Sequence, residues 1–263
     1  GMSTADIFRA VLDRPDAILP RLSGPFLIAC VDQRGSAIVA TDKSATRPCY
    51  YTTDGGFLFG SELKALLTQL DDVRLNTQAI SDLLLTGAVL GRKTLVDEIE
   101  SLEPGSYLRY SDGVVSKERY WTPAFGTAPA DGYVEQAVDY YRESVEKMVE
   151  TVDGDLGLWL SSGLDSRTMA SVVTDEVESF TAFTYGSHWG KDCAGARQVA
   201  ERLDIPHYVS EYTADGCVDS IQKGVGLTDG MNQWSYYVNL PAAMKDVSSN
   251  ADVVFEACAQ GEF

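Results

Sequence analysis

The feature that most constrains this chain is the regular alternation of short apolar runs with amphipathic stretches in its second half. Residues 133–152 carry apolar side chains at helical spacing. They are followed by an apolar run at 156–160, a helical pattern at 166–173, a strand pattern at 179–185, a helix at 192–203 and a strand at 207–211. Strands this apolar, each followed by a helix, predict a doubly wound parallel sheet covered on both faces. Ligands on such sheets sit at the carboxyl ends of the strands, where the strand order reverses. A last strand at 252–256 runs into Ala257-Cys-Ala-Gln-Gly-Glu-Phe263. Stopping at a strand end without a covering helix, the chain reads as part of a longer protein, and Gly1 ahead of Met2 reads as a tag scar.

The first half follows a different pattern. A helical stretch at 6–19 precedes strand patterns at 26–31, 37–40 and 57–59, separated by the turn chemistry of Asp32-Gln-Arg-Gly35 and Asp54-Gly-Gly56. These predict a β meander. Helices are expected at 61–70, with Glu62 near the start, and at 76–85, ended by Gly87 in a left-handed cap. A hairpin of 107–110 with 114–120 turns at Ser111-Asp-Gly113. The stretch from Trp121 to Asp131 is rich in Pro, Gly, Ala and Thr and has no periodicity. The expected organisation is therefore a β-rich α+β domain at 1–121, a linker at 122–131 and an α/β domain at 132–263.

Charge narrows the partners. There are 21 basic against 39 acidic residues, a formal net charge of −18, so a nucleic acid would be repelled and is not expected. Usage that is rich in Asp and poor in Lys also fits a surface kept soluble by high salt, as in a halophile. No apolar run reaches the roughly 18–20 residues of a membrane span, and no leader is visible, which predicts a cytoplasmic protein. Cys30, Cys49, Cys193, Cys217 and Cys258 form no metal-ligand spacing and are expected to be small buried hydrophobes. His188 and His207 are expected at the surface or a helix end. Trp159, Trp189, Trp234 and Tyr236-Tyr237 are expected to pack in the core or at its rim.

The chemistry concentrates in Leu158-Trp-Leu-Ser-Ser-Gly-Leu-Asp-Ser-Arg167. A buried strand ends at Leu160, three small residues turn, and Asp165-Ser166 opens a helix. Backbone N–H groups, hydroxyls and the positive end of the helix dipole then meet at one spot suited to phosphate oxygens. No Walker pattern with its lysine is present. Simple helix capping by Ser162 or Asp165 accounts for the same residues, and the residues alone leave both readings open.

Ser161-Ser-Gly-Leu-Asp-Ser166 resembles the S-G-G-x-D-S loop of the N-type ATP pyrophosphatases, and its surroundings resemble the asparagine synthetase family. Gly91-Arg-Lys-Thr-Leu-Val-Asp-Glu-Ile-Glu-Ser-Leu-Glu-Pro-Gly105, with Arg119-Tyr-Trp121, is similar to that family's G-x-x-T-x-x-x-x-I-x-x-L-x-P-G and Y-W. Asp42-Lys-Ser-Ala-Thr-Arg-Pro-Cys-Tyr-Tyr51 and Phe59-Gly-Ser-Glu-Leu-Lys-Ala65 resemble two further motifs, as do Thr184-Tyr-Gly186, Asp192 and Ala196 to His207.

The resemblance implies the half-domain of a glutaminase-like (Ntn) fold followed by an ATP-pyrophosphatase (adenine nucleotide α-hydrolase-like) domain. It implies a ligase that uses ATP and Mg²⁺ to adenylate a carboxylate, releasing pyrophosphate, for amide formation from ammonia or an amine, with a homodimer allowed. By carry-over, Ser161, Gly163, Asp165 and Ser166 would hold the β and γ phosphates, with Ser162, Leu164 and Gly261 also in the nucleotide site. Leu160, Tyr185 and Gly186 would flank adenine and ribose, and Asp165 and Glu262 would be the Mg²⁺ carboxylates. The family's catalytic lysine is expected beyond residue 263, so no catalytic residue is named here.

Three departures accompany the match. Ser3, not cysteine, follows Met2, and the motifs begin only near Gly24, so glutamine hydrolysis is not expected and Ser3 is read as a helix cap. Ser162 stands where the loop's first glycine is usual. The second phosphate loop, G-D-G-x-D-E in the family, reads Ala257-Cys-Ala-Gln-Gly-Glu262 and lacks its aspartate. The competing reading is a nucleotide-binding or scaffold relative whose altered loops do not catalyse.

Overall fold

The computed structural model describes residues 3–126, 131–232 and 240–257. The chain divides into two compact units, Gly1–Phe125 with Leu227–Gln233, and Gly126–Gly226 with Trp234–Phe263.

In the first unit, helix α1 (Thr4–Asp13) is capped by Ser3, whose hydroxyl accepts from the Asp6 N–H. The single helix expected at 6–19 is broken. Pro15 disfavours helical backbone at Arg14, which lies at φ −144°, ψ 65°, and the chain restarts as α2 (Pro15–Ile18) and a 3₁₀ turn at Leu19–Arg21. Strands β1 (Leu27–Val31), β2 (Ala37–Thr41), β3 (Tyr50–Thr52) and β4 (Leu58–Gly60) follow, then α3 (Leu63–Leu67) and α4 (Thr77–Thr86). Strands β5 (Glu100–Ser101), β6 (Ser106–Ser111) and β7 (Val114–Arg119) complete it.

The expected meander does not form. β6 takes the edge of β2, giving an antiparallel order β1-β2-β6-β7, while β4 pairs with β3 in a separate sheet β4-β3-β5. Packing explains this. Every residue of β2 is buried. Ile38 and Ala40 pack with Val11 of α1, and Val39 packs with Tyr51 and Leu108. Strand β3 is therefore needed to cover the second face of β2. Asn76 caps α4, Gly87 ends it at φ 81°, and Asp112 and Gly113 turn the β6–β7 hairpin at φ 52° and 81°. The start of α3 is capped not by Glu62 but by Asp229, which accepts from the Leu63 N–H at 2.7 Å.

The second unit runs α5 (Tyr133–Val149), β8 (Leu156–Trp159), α6 (Leu164–Glu176), β9 (Thr181–Gly186), α7 (Lys191–Leu203) and β10 (His207–Glu211). Helices α8 (Ala214–Thr228) and α9 (Leu240–Asn250), which sequence patterning did not assign, precede β11 (Val253–Phe255). The four strands are parallel in the order β10-β9-β8-β11. Leu156, Leu158, Ala182, Val173, Ala196 and Phe255 lie in its main core. Gly157 admits no side chain, since a Cβ there would lie 2.6 Å from Val254 Cγ2 and 2.7 Å from Phe183 Cε2. Successive strands step outward from β8 to β10, and β11 returns on the other side of β8. The order reverses at the carboxyl ends of β8 and β11.

Candidate functional site

A cavity of about 280 Å³ opens at that reversal point. Its floor is the end of β8. The Leu160 N–H bonds the Phe183 carbonyl at 2.8 Å, extending the ladder one residue. The buried Thr184 hydroxyl donates to the Leu160 carbonyl at 2.6 Å and lies 2.8 Å from His207 Nε2. Its one proton is used on Leu160, so the imidazole donates through Nε2–H. His207 is thus half-buried and bonded to a strand end, not the surface or helix-end residue expected. Burial first, and Arg197 second, hold its pKa below the ordinary histidine value.

From Leu160 the chain turns through Ser161, Ser162 and Gly163 into α6. Ser166 is its hub: its Oγ accepts from the Ser161 N–H at 3.1 Å and lies 2.9 Å from Ser161 Oγ, which in turn accepts from the Gly163 N–H at 3.1 Å. Capping by Ser162 or Asp165 does not occur. Gly163 is the N-cap, and no side chain caps the helix. Ser162 instead turns toward α7, donating to Asp192 Oδ1 from its hydroxyl at 2.7 Å and from its N–H at 3.3 Å.

Of the residues singled out from sequence, Leu160, Ser161, Gly163, Asp165, Ser166 and Tyr185 share the wall of this cavity. Ser162, Leu164 and Gly186 do not line it, and Leu164 is exposed beside a separate groove on α5 and α6. Gly261 and Glu262 lie outside the described residues, as do Cys258, Trp234 and Tyr236-Tyr237.

Sequence reasoning missed Glu256 and Tyr212 outright and named Asp192 and Ala257 only as positions within the motifs. Glu256 and Ala257 enter from the end of β11, Asp192 from α7, and Tyr212 from beyond β10. The position of Glu256 at a strand's carboxyl end was the available signal. Trp159, expected as packing, lines the cavity as well, edge-on to Phe183 (5.9 Å) and Tyr185 (5.3 Å), with Tyr212 6.1 Å from Tyr185. Cys30, Cys49 and Cys193 are buried free thiols as expected, whereas Cys217 is only half-buried.

The electrostatics are one-sided. Asp165, Asp192 and Glu256 line the cavity, and no lysine or arginine does among the described residues. Those residues hold no cluster of three or more His, Cys, Asp or Glu placed to bind a metal ion. An anion entering the cavity would meet these carboxylates with no basic side chain of the described wall to offset them.

The glutamine amidotransferase domain family matches residues 4–121, and the asparagine synthase family matches residues 139–255. The chain belongs to the asparagine synthase family. Its two halves are the antiparallel amidotransferase part and the parallel α/β part. The first match starts at residue 4, so the likeness reaches well ahead of Gly24, where the motifs begin. Asparagine synthetase [glutamine-hydrolyzing] 3 of Bacillus subtilis is 25% identical over 66% of this chain and 29% of its own length. Asparagine synthetase [glutamine-hydrolyzing] 1 of the same organism is 28% identical over 56% and 24%. Asparagine synthetase [glutamine-hydrolyzing] 2 of Arabidopsis thaliana is 25% identical over 79% and 34%. The chain thus spans about a quarter to a third of the length of these curated relatives. No described helix is long and apolar enough to cross a membrane.

Proposed function

We infer that this chain carries the nucleotide-binding part of an ATP-dependent, AMP-forming amide ligase. The observation that supports this reading best is the side-chain-free N-terminus of α6 at the strand-order reversal, reached through the Ser161–Ser166 turn and open to the cavity. A carboxylate oxygen of the substrate attacks the α-phosphorus of ATP, the bond to the β-phosphate oxygen breaks, and pyrophosphate leaves. Ammonia or an amine then attacks the acyl carbon, AMP departs with the bonding pair, and the nitrogen gives up one proton to solvent.

In the first step this chain's share is charge stabilisation. First-turn N–H groups of α6 meet the β and γ phosphates, and the Gly163 N–H and the hydroxyls of Ser161 and Ser166, bonded to one another in the free chain, exchange those bonds for phosphate oxygens. Leu160 and Tyr185 flank the adenosine. Asp165 and Glu256 are the described carboxylates that would hold Mg²⁺, which supplies neutralisation of the phosphate charge. Glu262 would join them.

A second reading, a relative that binds nucleotide without catalysis, is favoured by one observation. In the free chain the N–H groups of Ser161, Ser162 and Gly163 are all engaged by side chains. Two measurements separate the readings. Calorimetry with Mg·ATP should show binding in the wild type that is lost in Gly163→Val and weakened in Asp165→Ala; unchanged affinity in both variants removes the site. Pyrophosphate release by the full-length protein against a panel of carboxylates should then appear in the ligase and be absent in the non-catalytic relative.

A further inference from the structure

Ser162 raises a steric problem that the structure answers. Its Cβ occupies a place where the family's loop usually has glycine, yet Ser162 stays out of the cavity wall that its neighbours Ser161 and Gly163 form. The side chain lies against the first turns of α7, where it meets Gly195. A Cβ added at Gly195 would lie 2.6 Å from Ser162 Cβ, closer than real Cβ atoms come, and a tight 3.0 Å from Ser162 Cα. Glycine is a poor residue for a helix interior, and Gly195 sits inside α7 with ordinary helical backbone and no turn to make. Close approach of the loop is the reason that remains.

One turn earlier on the same face, Asp192 takes both the hydroxyl and the N–H of Ser162 on a single oxygen, Oδ1. The three residues therefore form one contact: Gly195 leaves the space, Ser162 fills it, and Asp192 fixes the peptide that begins the turn.

We propose that Asp192 is a positioning residue of the phosphate loop and that Gly195 is matched to Ser162, so that α7 holds in shape a loop that has lost its glycine. The proposal rests on the reading of this loop as the phosphate site. It places the function of Asp192 in the acceptor oxygen at Oδ1 and not in its charge.

A double-mutant cycle tests it on the full chain, with Mg·ATP affinity by calorimetry and thermal midpoint read on each of four proteins: wild type, Ser162→Gly, Gly195→Ala and the double variant. Gly195→Ala should weaken binding by roughly tenfold and lower the midpoint when Ser162 is present. The same change made on top of Ser162→Gly should alter affinity by less than about threefold, as expected for residues in direct contact. Equal effects with and without Ser162→Gly would overturn the matched pair. Should Gly195→Ala fail to fold, refolding in the double variant gives the same rescue, and its absence refutes it.

For Asp192, Asn keeps an acceptor oxygen without charge, so Asp192→Asn should stay within about threefold of wild type while Asp192→Leu loses at least tenfold. Asparagine as damaging as leucine would assign Asp192 a charge role and remove the positioning role. If the wild type binds no nucleotide, the functional reading fails. The thermal cycle still decides whether Ser162 and Gly195 are coupled.

Discussion

Thr184→Val is the sharpest probe of the strand end beneath the cavity, because it exchanges a hydroxyl for a methyl of nearly equal volume. Thr184 is 3% exposed, and its hydroxyl serves two neighbours, the Leu160 carbonyl at 2.6 Å and His207 Nε2 at 2.8 Å. Leu160 is 2% exposed, so its carbonyl is left in an apolar site without that donor, at a cost of about 1–3 kcal/mol. The His207 N–H is only half-buried and can turn to water, adding roughly 0.5–1 kcal/mol. The expected loss is therefore about 1.5–4 kcal/mol. With a urea dependence of about 2 kcal/mol per molar, the midpoint of the affected transition falls by roughly 0.8–2 M. Thr184→Ser keeps the hydroxyl and gives up one methyl, about 1 kcal/mol, and so separates the hydrogen bonds from the packing. Urea unfolding followed by circular dichroism and tryptophan emission reads both. A loss below about 1 kcal/mol for valine, or a serine variant as unstable as the valine variant, would refute the hydrogen-bond account.

Gly105→Ala should destabilise the first unit by roughly 2–3 kcal/mol in a thermal melt, because Gly105 has φ 60° and an added Cβ would lie 2.7 Å from the Trp121 carbonyl oxygen; an unchanged melt rejects this. The depressed His207 pKa keeps the ring neutral in the fold while the unfolded chain's histidine takes a proton near pH ~6.5. Stability should thus fall as pH drops from 7 through about 6.5 toward the folded-state pKa, and His207→Gln should flatten that slope; a slope retained in the variant assigns it elsewhere. With a net charge of −18, the thermal midpoint should rise between 0.01 and 1 M sodium chloride as the Debye length shortens from about 30 to 3 Å. A rise no larger than in a neutral osmolyte at matched water activity removes the electrostatic explanation.

What was legible in the sequence is what local physics decides. Strands β8 to β10 and their helices could be read because β8 and β9 are largely buried, β10 follows at the same spacing, and each helix begins and ends within its own segment. The hairpin at Asp112-Gly113 and the cap at Gly87 could be read because positive φ has few suitable residues. What could not be read depends on distant partners. Strand β3 is three residues long and exists to cover β2. The Asp192 contact joins α7 to a loop 30 residues earlier, and Glu256 reaches the cavity only because β11 pairs with β8. The break before Pro15 is local as well, since a proline turns the residue ahead of it away from helical backbone whatever the hydrophobic spacing across it.

The motifs that carry the family likeness divide by physical task. In the first unit they close the fold. The Asp42 carboxylate accepts from the N–H groups of Phe26, Ser44 and Thr46. The buried Thr94 hydroxyl lies 2.8 Å from the carbonyls of both Val96 and Ile99. The Gly105 carbonyl accepts the N–H groups of Tyr120 and Trp121, while the Tyr120 hydroxyl donates to the Thr41 carbonyl at 2.6 Å. The Pro104-Gly105 and Tyr120-Trp121 motifs are thus two sides of one contact, which is why a glycine and an aromatic pair occur together at that spacing. In the second unit the motif residues lie instead around an open cavity, with hydroxyls and carboxylates at its wall. Substitutions in the first set should therefore act on stability before binding. Those in the second should act on binding before stability, except at Ser166 and Thr184, which line the cavity and also hold its floor together through their own hydrogen bonds.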